Sequence, residues 1–90
     1  MTTWVASPRV LFRRLPDSIV LLAVDGDGPP TVLEGTGEEL WDLLDRPRTL
    51  GELAGELAER HQADPEVVAN DLVAALDDLR DRGLVEMHSP

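Results

Sequence analysis

The sequence contains no cysteine and no long apolar run, and each absence excludes a class of protein. Without cysteine there is no disulfide framework, no thiol nucleophile and no cysteine-based zinc site. The longest apolar run, residues 19–24, is far shorter than the roughly 18 residues that a membrane span needs. The first residues also lack the charged and apolar stretches of a secretion signal. We therefore expect a cytoplasmic protein without a membrane partner, and the length of 90 residues predicts a single domain.

Negative charge is concentrated in the second part of the chain. Residues 1–33 carry three Arg and three Asp, whereas residues 34–90 carry five Arg and fifteen carboxylates, which accounts for the net charge of −10. An acidic surface repels phosphate groups, so we expect no nucleic-acid partner. A basic peptide or an Arg-bearing protein surface is a better match. An acidic helix face that only keeps the protein in solution would give the same composition.

The sequence offers no constellation of catalytic or metal-binding residues. His61 and His88 lie at a predicted helix end and near the end of the chain, and no histidines have a metal-ligand spacing. The glycines match neither a phosphate-binding loop nor a dinucleotide fingerprint. Neighbouring carboxylates such as Asp77 and Asp78 point about 100° apart on a helix, which indicates surface charge rather than an acid–base pair. We expect no enzyme activity, no cofactor and no metal ion.

The first third of the chain predicts three β-strands. Residues 10–15 predict a first strand with Val10 and Phe12 on one face and Leu11 and Arg13 on the other. Residues 19–24 are apolar on both faces, which suits the centre of a small sheet. Residues 31–34 form a short third strand that directly follows Pro29 and Pro30. Because proline cannot donate a ladder hydrogen bond, it is tolerated at the start of a strand or at a sheet edge. The third strand is therefore expected at the edge, with unpaired backbone groups.

The segments around these strands are predicted to be less regular. Residues 1–8 are interpreted as a flexible arm, in which the indole of Trp4 docks on the domain. Residues 25–28 supply a hairpin loop between the second and third strands. Residues 88–90 are interpreted as a tail.

The chain changes from strands to helices at Gly35, in a Gly-Thr-Gly segment that favours a tight turn. Thr36 is expected to cap the first helix, and Glu39 three residues later completes a capping box. Pro47 ends this helix because proline cannot continue the hydrogen-bond ladder. Four large side chains give the helix its apolar face: Leu40, Trp41, Leu43 and Leu44.

Two more helices follow. Thr49 and Glu52 repeat the capping box for the second helix. Asp64 is expected to cap the third, and Gly83 to lie just beyond its end. The apolar stripe of the third helix comprises Val68, Leu72, Ala75, Leu76 and Leu79. Strands followed by helices in one small domain predict the α+β class, with helices on one side of a three-stranded antiparallel sheet.

The candidate functional surface is the open edge of the third strand. Small domains with an exposed edge bind peptides by strand addition, in which backbone groups give affinity and nearby pockets select side chains. The edge consists of Thr31, Val32, Leu33 and Glu34. The neighbouring wall is the exposed side of the third helix, with Val67, Asp71, Ala74 and Asp78, and with Ala75 beside them. Alternatively, Val67 and Ala74 only widen the core stripe.

An ordered set of segments resembles one known family. These segments are residues 33–44 (LEGTGEELWDLL), 48–53 (RTLGEL), 64–68, 71–72, Leu79 and 82–85 (RGLV). They resemble the PqqD-like domains, the recognition elements that bind leader peptides in pathways for ribosomally synthesised and post-translationally modified peptides (RiPPs). The size resembles the small discrete members of lasso peptide clusters.

The resemblance implies a winged-helix-like fold of three strands and three helices. It also implies that the leader of a precursor peptide adds as a strand beside the third strand, in the cleft facing the third helix. Members of the family are not catalysts, and they present the precursor to separate enzymes, which in lasso clusters are a leader peptidase and a cyclase. The chain departs from the family at its third strand. Thr31 and Val32 stand where an aromatic residue is frequent, and Glu34 stands where Asn is frequent.

Three alternatives remain open at this point. Members that serve radical-SAM enzymes, including those of pyrroloquinoline quinone assembly, look similar. A winged-helix DNA-binding regulator could have the same helical half, but its recognition helix should carry Arg or Lys, whereas the third helix is rich in Asp. A helical interaction domain that binds neither peptide nor DNA is the last alternative.

Overall fold

The computed structural model describes residues 1–26 and 28–89. The elements in chain order are β1 (Thr3–Ala6), β2 (Val10–Leu15), β3 (Ser18–Ala23), β4 (Thr31–Glu34), α1 (Thr36–Leu43), α2 (Leu50–His61), α3 (Pro65–Asp81) and β5 (Val85–His88). The three predicted strands are β2, β3 and β4, and the predicted helices are α1, α2 and α3. Asp27, in the predicted hairpin loop, and Pro90, in the predicted tail, lie outside the described residues.

β2, β3 and β4 form an antiparallel sheet with β3 at its centre. Ile19 and Leu21 of β3 are fully buried on the face that the helices cover. Since side chains alternate along a strand, Val20 and Leu22 point to the opposite face. β4 lies at one edge of this sheet, as the two prolines before it predicted.

The helices bury their apolar stripes against each other and against this face of the sheet. The fully buried large side chains are Ile19, Leu21, Leu44, Leu53, Leu57, Leu76 and Leu84. The predicted face of α1 is buried in full, from Leu40 to Leu44, apart from the exposed Asp42. The core is therefore one layer of leucine side chains between the helices and one side of the sheet.

The ends of α2 and α3 follow their predicted caps. The Thr49 hydroxyl accepts a hydrogen bond from the Glu52 N–H, and the Glu52 carboxylate accepts one from the Thr49 N–H. The Asp64 carboxylate accepts from the Glu66 N–H at the start of α3. At the other end Gly83 has φ +76°, which suits a residue without a Cβ. The Gly83 N–H donates to the Arg80 carbonyl and the Leu84 N–H to the Leu79 carbonyl, the pair of bonds of a Schellman motif.

The predicted cap of α1 is wrong. The N-cap residue is Gly35 and not Thr36, and no side chain caps the helix. The chain turns from β4 into the helix at Gly35 with φ +56°, a conformation that glycine adopts without steric cost. Thr36 therefore already lies within the first turn, where its side chain does not have N-cap geometry. The tight turn itself was predicted from the Gly-Thr-Gly segment.

The interpretation of residues 1–8 as a flexible arm is wrong for Thr3–Ala6. These residues form β1, which pairs antiparallel with β5, so His88 also belongs to a strand and not to a tail. The Trp4 N–H donates to the Arg48 carbonyl, and the Arg48 N–H donates back to the Trp4 carbonyl. The Trp4 side chain is only 9% exposed and belongs to the core, so its predicted docking on the domain is confirmed.

Candidate functional site

The backbone of β4 presents a definite set of groups to the open edge of the sheet. The turn between β2 and β3 has two residues, so the flanking Leu15 and Ser18 form a hydrogen-bonded pair. Alternate residues of β3, namely Ser18, Val20 and Leu22, thus bond to β2. The Val24 N–H, which donates to the Arg9 carbonyl at 2.9 Å, continues the same series.

The remaining residues of β3 bond to β4. Ile19 and Leu21 are registered with Leu33 and Thr31, so these two residues of β4 use their N–H and C=O groups within the sheet. The N–H and C=O groups of Val32 therefore point away from the sheet, towards the open edge. Glu34, two residues on, has the same orientation.

The side chains of β4 alternate between the two faces of the sheet. Thr31 and Leu33 are half-buried on the side of the helices, where Leu33 packs against the core. Val32, which is 54% exposed, and Glu34 point to the opposite face. A strand added beside β4 would alternate in the same way, with every second side chain directed towards α3.

Arg82 spans the cleft between β4 and α3 at one end. Its Nη1 donates to the Thr31 Oγ1 at 3.4 Å, and its Nε donates to the Asp78 Oδ2 at 3.0 Å. A cavity of about 280 Å³ lies here, lined among others by Leu21, Thr31, Arg82 and Leu84. Both charged side chains are about half exposed, so the bridge contributes little stability and opens at small cost.

A second cavity, of about 190 Å³, lies near the first turns of α1 and α3. It is lined by Thr36, Leu57, His61, Val68, Asp71 and Leu72. The His61 Nε2 lies 2.5 Å from the Glu39 Oε2, which joins the end of α2 to α1 beside this cavity. The cavity combines apolar walls with a few polar groups, the composition that accepts an apolar side chain with a polar tip.

The structure places the predicted site residues in three groups. Thr31 and Asp78 both contact Arg82, and Asp71 lines the smaller cavity. Val67 is 56% exposed and Ala74 is also exposed, so neither belongs to the core. Ala75 is half-buried and packs against the core. No described contact joins Val67, Ala74 or Ala75 to β4.

Several lining residues were not among the predicted site residues. Arg82 is the main one, and the signal was available because the predicted Gly83 defines Arg82 as the C-cap of α3, next to the cleft. Val68 and Leu72 were predicted, but as core residues. The Thr36 and His61 positions depend on how α1 and α2 pack, which no local pattern reports.

Two features are not found in the described part of the chain: a metal-binding cluster and a membrane-spanning helix. Residues 1–26 and 28–89 contain no cluster of three or more His, Asp or Glu side chains that could hold a metal ion. Among the same residues, no helix has both the length and the apolar character needed to cross a bilayer.

The fold and the site define a class of protein: a small α+β domain whose helices cover one face of a three-stranded sheet, with an open strand edge beside the last helix. The sequence model for coenzyme PQQ synthesis protein D (PqqD) matches residues 18–85, and the chain belongs to this family. The resemblance drawn from the sequence segments is thereby confirmed. No curated protein matches the sequence.

Two solved structures share the fold. TbiB1, solved in complex with the TbiA(beta) leader peptide, is 24% identical with a TM-score of 0.82, and the match covers 96% of this chain and 99% of that one. The PqqD truncation of Methylobacterium extorquens PqqCD, described as a functional and stand-alone RiPP recognition element, is 22% identical with a TM-score of 0.75. That match covers 93% of this chain and 88% of the other. At these identities the likeness shows the fold, which confirms the predicted α+β, winged-helix-like class.

Proposed function

We propose that the chain is a non-catalytic RiPP recognition element. It binds the leader region of a ribosomally synthesised precursor peptide as an additional strand beside β4 and delivers it to the modifying enzymes. The observation that carries this proposal is the outward orientation of the Val32 and Glu34 backbone groups next to a cleft with two cavities. Family membership supports it, as does the fold shared with TbiB1, a protein solved with a leader peptide bound.

In this proposal the backbone and the cleft have separate roles. The Val32 N–H and C=O, with those of Glu34, bond to the leader in any sequence, because every peptide offers the complementary groups. Alternate leader side chains enter the cleft towards α3, where Val67, Asp71, Ala74, Ala75 and Asp78 provide the wall. Selection among leaders then comes from the two cavities.

Charge adds to this selection. Asp71 and Glu34 form no ion pair among the described residues. Asp71 belongs to α3, on the helix side of an added strand, and Glu34 points to the opposite face of the sheet. A leader with a Lys or Arg near these carboxylates is favoured over an acidic one, and the preference should weaken as salt is added.

The partner that receives the leader is proposed from the sequence resemblance. A leader peptidase, together with a cyclase of a lasso peptide pathway, is favoured, and a radical-SAM enzyme is the alternative. Because precursor peptides are made by ribosomes, the proposed location is the cytoplasm. No observation favours DNA binding: α3 carries Asp71, Asp77, Asp78 and Asp81 but only one Arg within its bounds, which a phosphate backbone would repel.

The test is a titration of the isotope-labelled protein with the synthetic leader encoded by the neighbouring precursor gene. We expect a dissociation constant between nanomolar and micromolar, with amide shifts concentrated in β4 and α3. A peptide of the same composition in scrambled order is the control. The absence of binding by a folded protein would refute the proposal, and shifts confined to other elements would place the peptide elsewhere.

A further inference from the structure

The sheet has a second face that no described element covers. We define the outer sheet face as Leu11, Arg13, Leu15, Val20, Leu22 and Val32, which alternation directs away from the helices. The buried Ser18 and the exposed Glu34 lie at one end of the same face. Leu11 is 63% exposed, Val32 54% and Leu22 39%. A contiguous apolar patch of this kind on a small acidic protein indicates an interaction surface.

We propose that the outer sheet face docks the enzyme that acts on the bound peptide. The enzyme contributes an apolar patch with an Asp or Glu that lies opposite Arg13. This inference rests on the proposed function. Two observations support it: the position of Arg13 and the continuity of the face with the peptide edge. The area of the face and the net charge argue against a second copy of this chain.

Arg13 is the cation within this patch. Its strand neighbours on the same face are Leu11 and Leu15, and Val20 is its partner across the ladder. Arg13 forms no ion pair among residues 1–26 and 28–89, although the nearby Arg9 and Arg14 each pair with a carboxylate. A partner with an Asp or Glu at this point would satisfy the guanidinium and gain specificity from the pairing.

The outer sheet face is continuous with the proposed peptide edge. Arg13, Val20 and Val32 form one row across β2, β3 and β4. A strand added beside β4 places its own outward side chain next in that row. An enzyme docked on this face would therefore contact both this chain and the peptide, so each should strengthen the binding of the other.

Area and charge argue against a second copy of this chain as the occupant. β2 and β3 have six residues each and β4 has four, so at about 4.8 Å between strands and about 3.3 Å per residue the flat footprint is about 250 Å². Two such faces together cover about 500 Å², well below the roughly 1,200 Å² of a stable interface. Each copy also carries a net charge of −10, which opposes self-association.

The experiment measures binding of the purified modifying enzyme encoded beside this chain's gene, with and without the synthetic leader. The test variants are Arg13→Glu and Leu22→Ser, and the control is Val73→Ser, an exposed apolar position on α3 (44% exposed). We expect both test variants to lose about tenfold or more in enzyme affinity. Their affinity for the leader alone should match that of the wild type, and Val73→Ser should behave as the wild type in both assays.

Any of the following results would overturn the inference. Unchanged enzyme affinity in both variants would show that the enzyme docks elsewhere, and so would a wild-type protein that binds the leader but not the enzyme. A loss of leader affinity in the absence of enzyme would assign the face to the peptide. A concentration-dependent dimer in sedimentation, abolished by Leu22→Ser, would make the occupant a second copy. The leader titration of the wild type tests the proposed function on its own, so its failure is distinguished from failure of the docking proposal.

Discussion

Val32→Pro is the substitution that most directly tests strand addition at β4. The Val32 N–H points to the open edge, whereas the neighbouring Leu33 and Thr31 bond to β3. Proline at position 32 therefore removes a donor that the fold does not use. Since Val32 is already 54% exposed, we expect the free energy of unfolding to fall by less than about 1 kcal/mol.

The effect on leader binding is larger. One backbone hydrogen bond contributes about 0.5–1.5 kcal/mol, which corresponds to a loss of about two- to twelve-fold in affinity. The proline ring also occupies the space in which the next strand approaches, so the total loss should exceed that of the bond alone, at about tenfold or more.

Two further variants complete the experiment. Val32→Thr keeps the N–H and a β-branched side chain, and should bind the leader within about twofold of the wild type. Leu33→Pro removes a donor that bonds to Ile19, so it should destabilise the fold itself. Affinities come from calorimetry and stabilities from urea denaturation followed by circular dichroism. If Val32→Pro binds the leader as tightly as Val32→Thr, the peptide does not pair with β4.

Three predictions concern the stability of the fold. Leu76→Ala, at a fully buried position, should cost about 2–5 kcal/mol in urea denaturation, and a smaller value would show that α3 collapses into the space. Trp4→Ala should lower the free energy of unfolding by about 3–5 kcal/mol in the same measurement, because the indole fills part of the core. A neutral effect would show that residues 1–8 do not pack on the domain. The Thr49 N–H lowers the pKa of Glu52 below its ordinary value of 4.5, so this contribution to stability is present above that value and is lost as the pH falls through the folded pKa. Glu52→Gln should accordingly be less stable than the wild type at about pH 7, with the difference disappearing in acid, and a difference independent of pH would refute this role.

The sequence predicted the edge strand and two of the three helix caps, because each depends only on residues that are close together in the chain. Pro29 and Pro30 exclude a central strand, and β4 is indeed an edge. The Thr49 and Asp64 caps are present because a short polar side chain next to a helix start needs no distant partner. Thr36 had the same signal, but the positive φ of Gly35 fixed the start of α1 one residue earlier.

Long-range pairing was not predictable in the same way. β1 and β5 are four residues each, and they pair across almost the whole chain, with Thr3 opposite His88. Neither segment has a distinctive alternation. The indole of Trp4 was the one signal, and it predicted docking but not a strand.

One side of the candidate site, the strand edge, could be predicted from the sequence, and the other side could not. Pro29 and Pro30 predicted that residues 31–34 form the edge. The position of Arg82 across the cleft depends instead on how the Schellman motif at Gly83 orients the end of α3. The apolar run 19–24 correctly predicted a central strand. Whether one or both faces of that strand are covered is decided by the helices, and the helices cover one.

The pairing of β1 with β5 brings the two ends of the described chain together. The Thr2 hydroxyl lies 3.0 Å from the Ser89 hydroxyl. A fusion partner attached before β1 or after β5 would therefore leave the domain from almost the same point, so the order of two fused genes would matter little for their geometry. The same closeness allows the ends to be joined by a short linker and the chain to be opened at the turn of residues 16–17, which would give a permuted protein with β2 at its end.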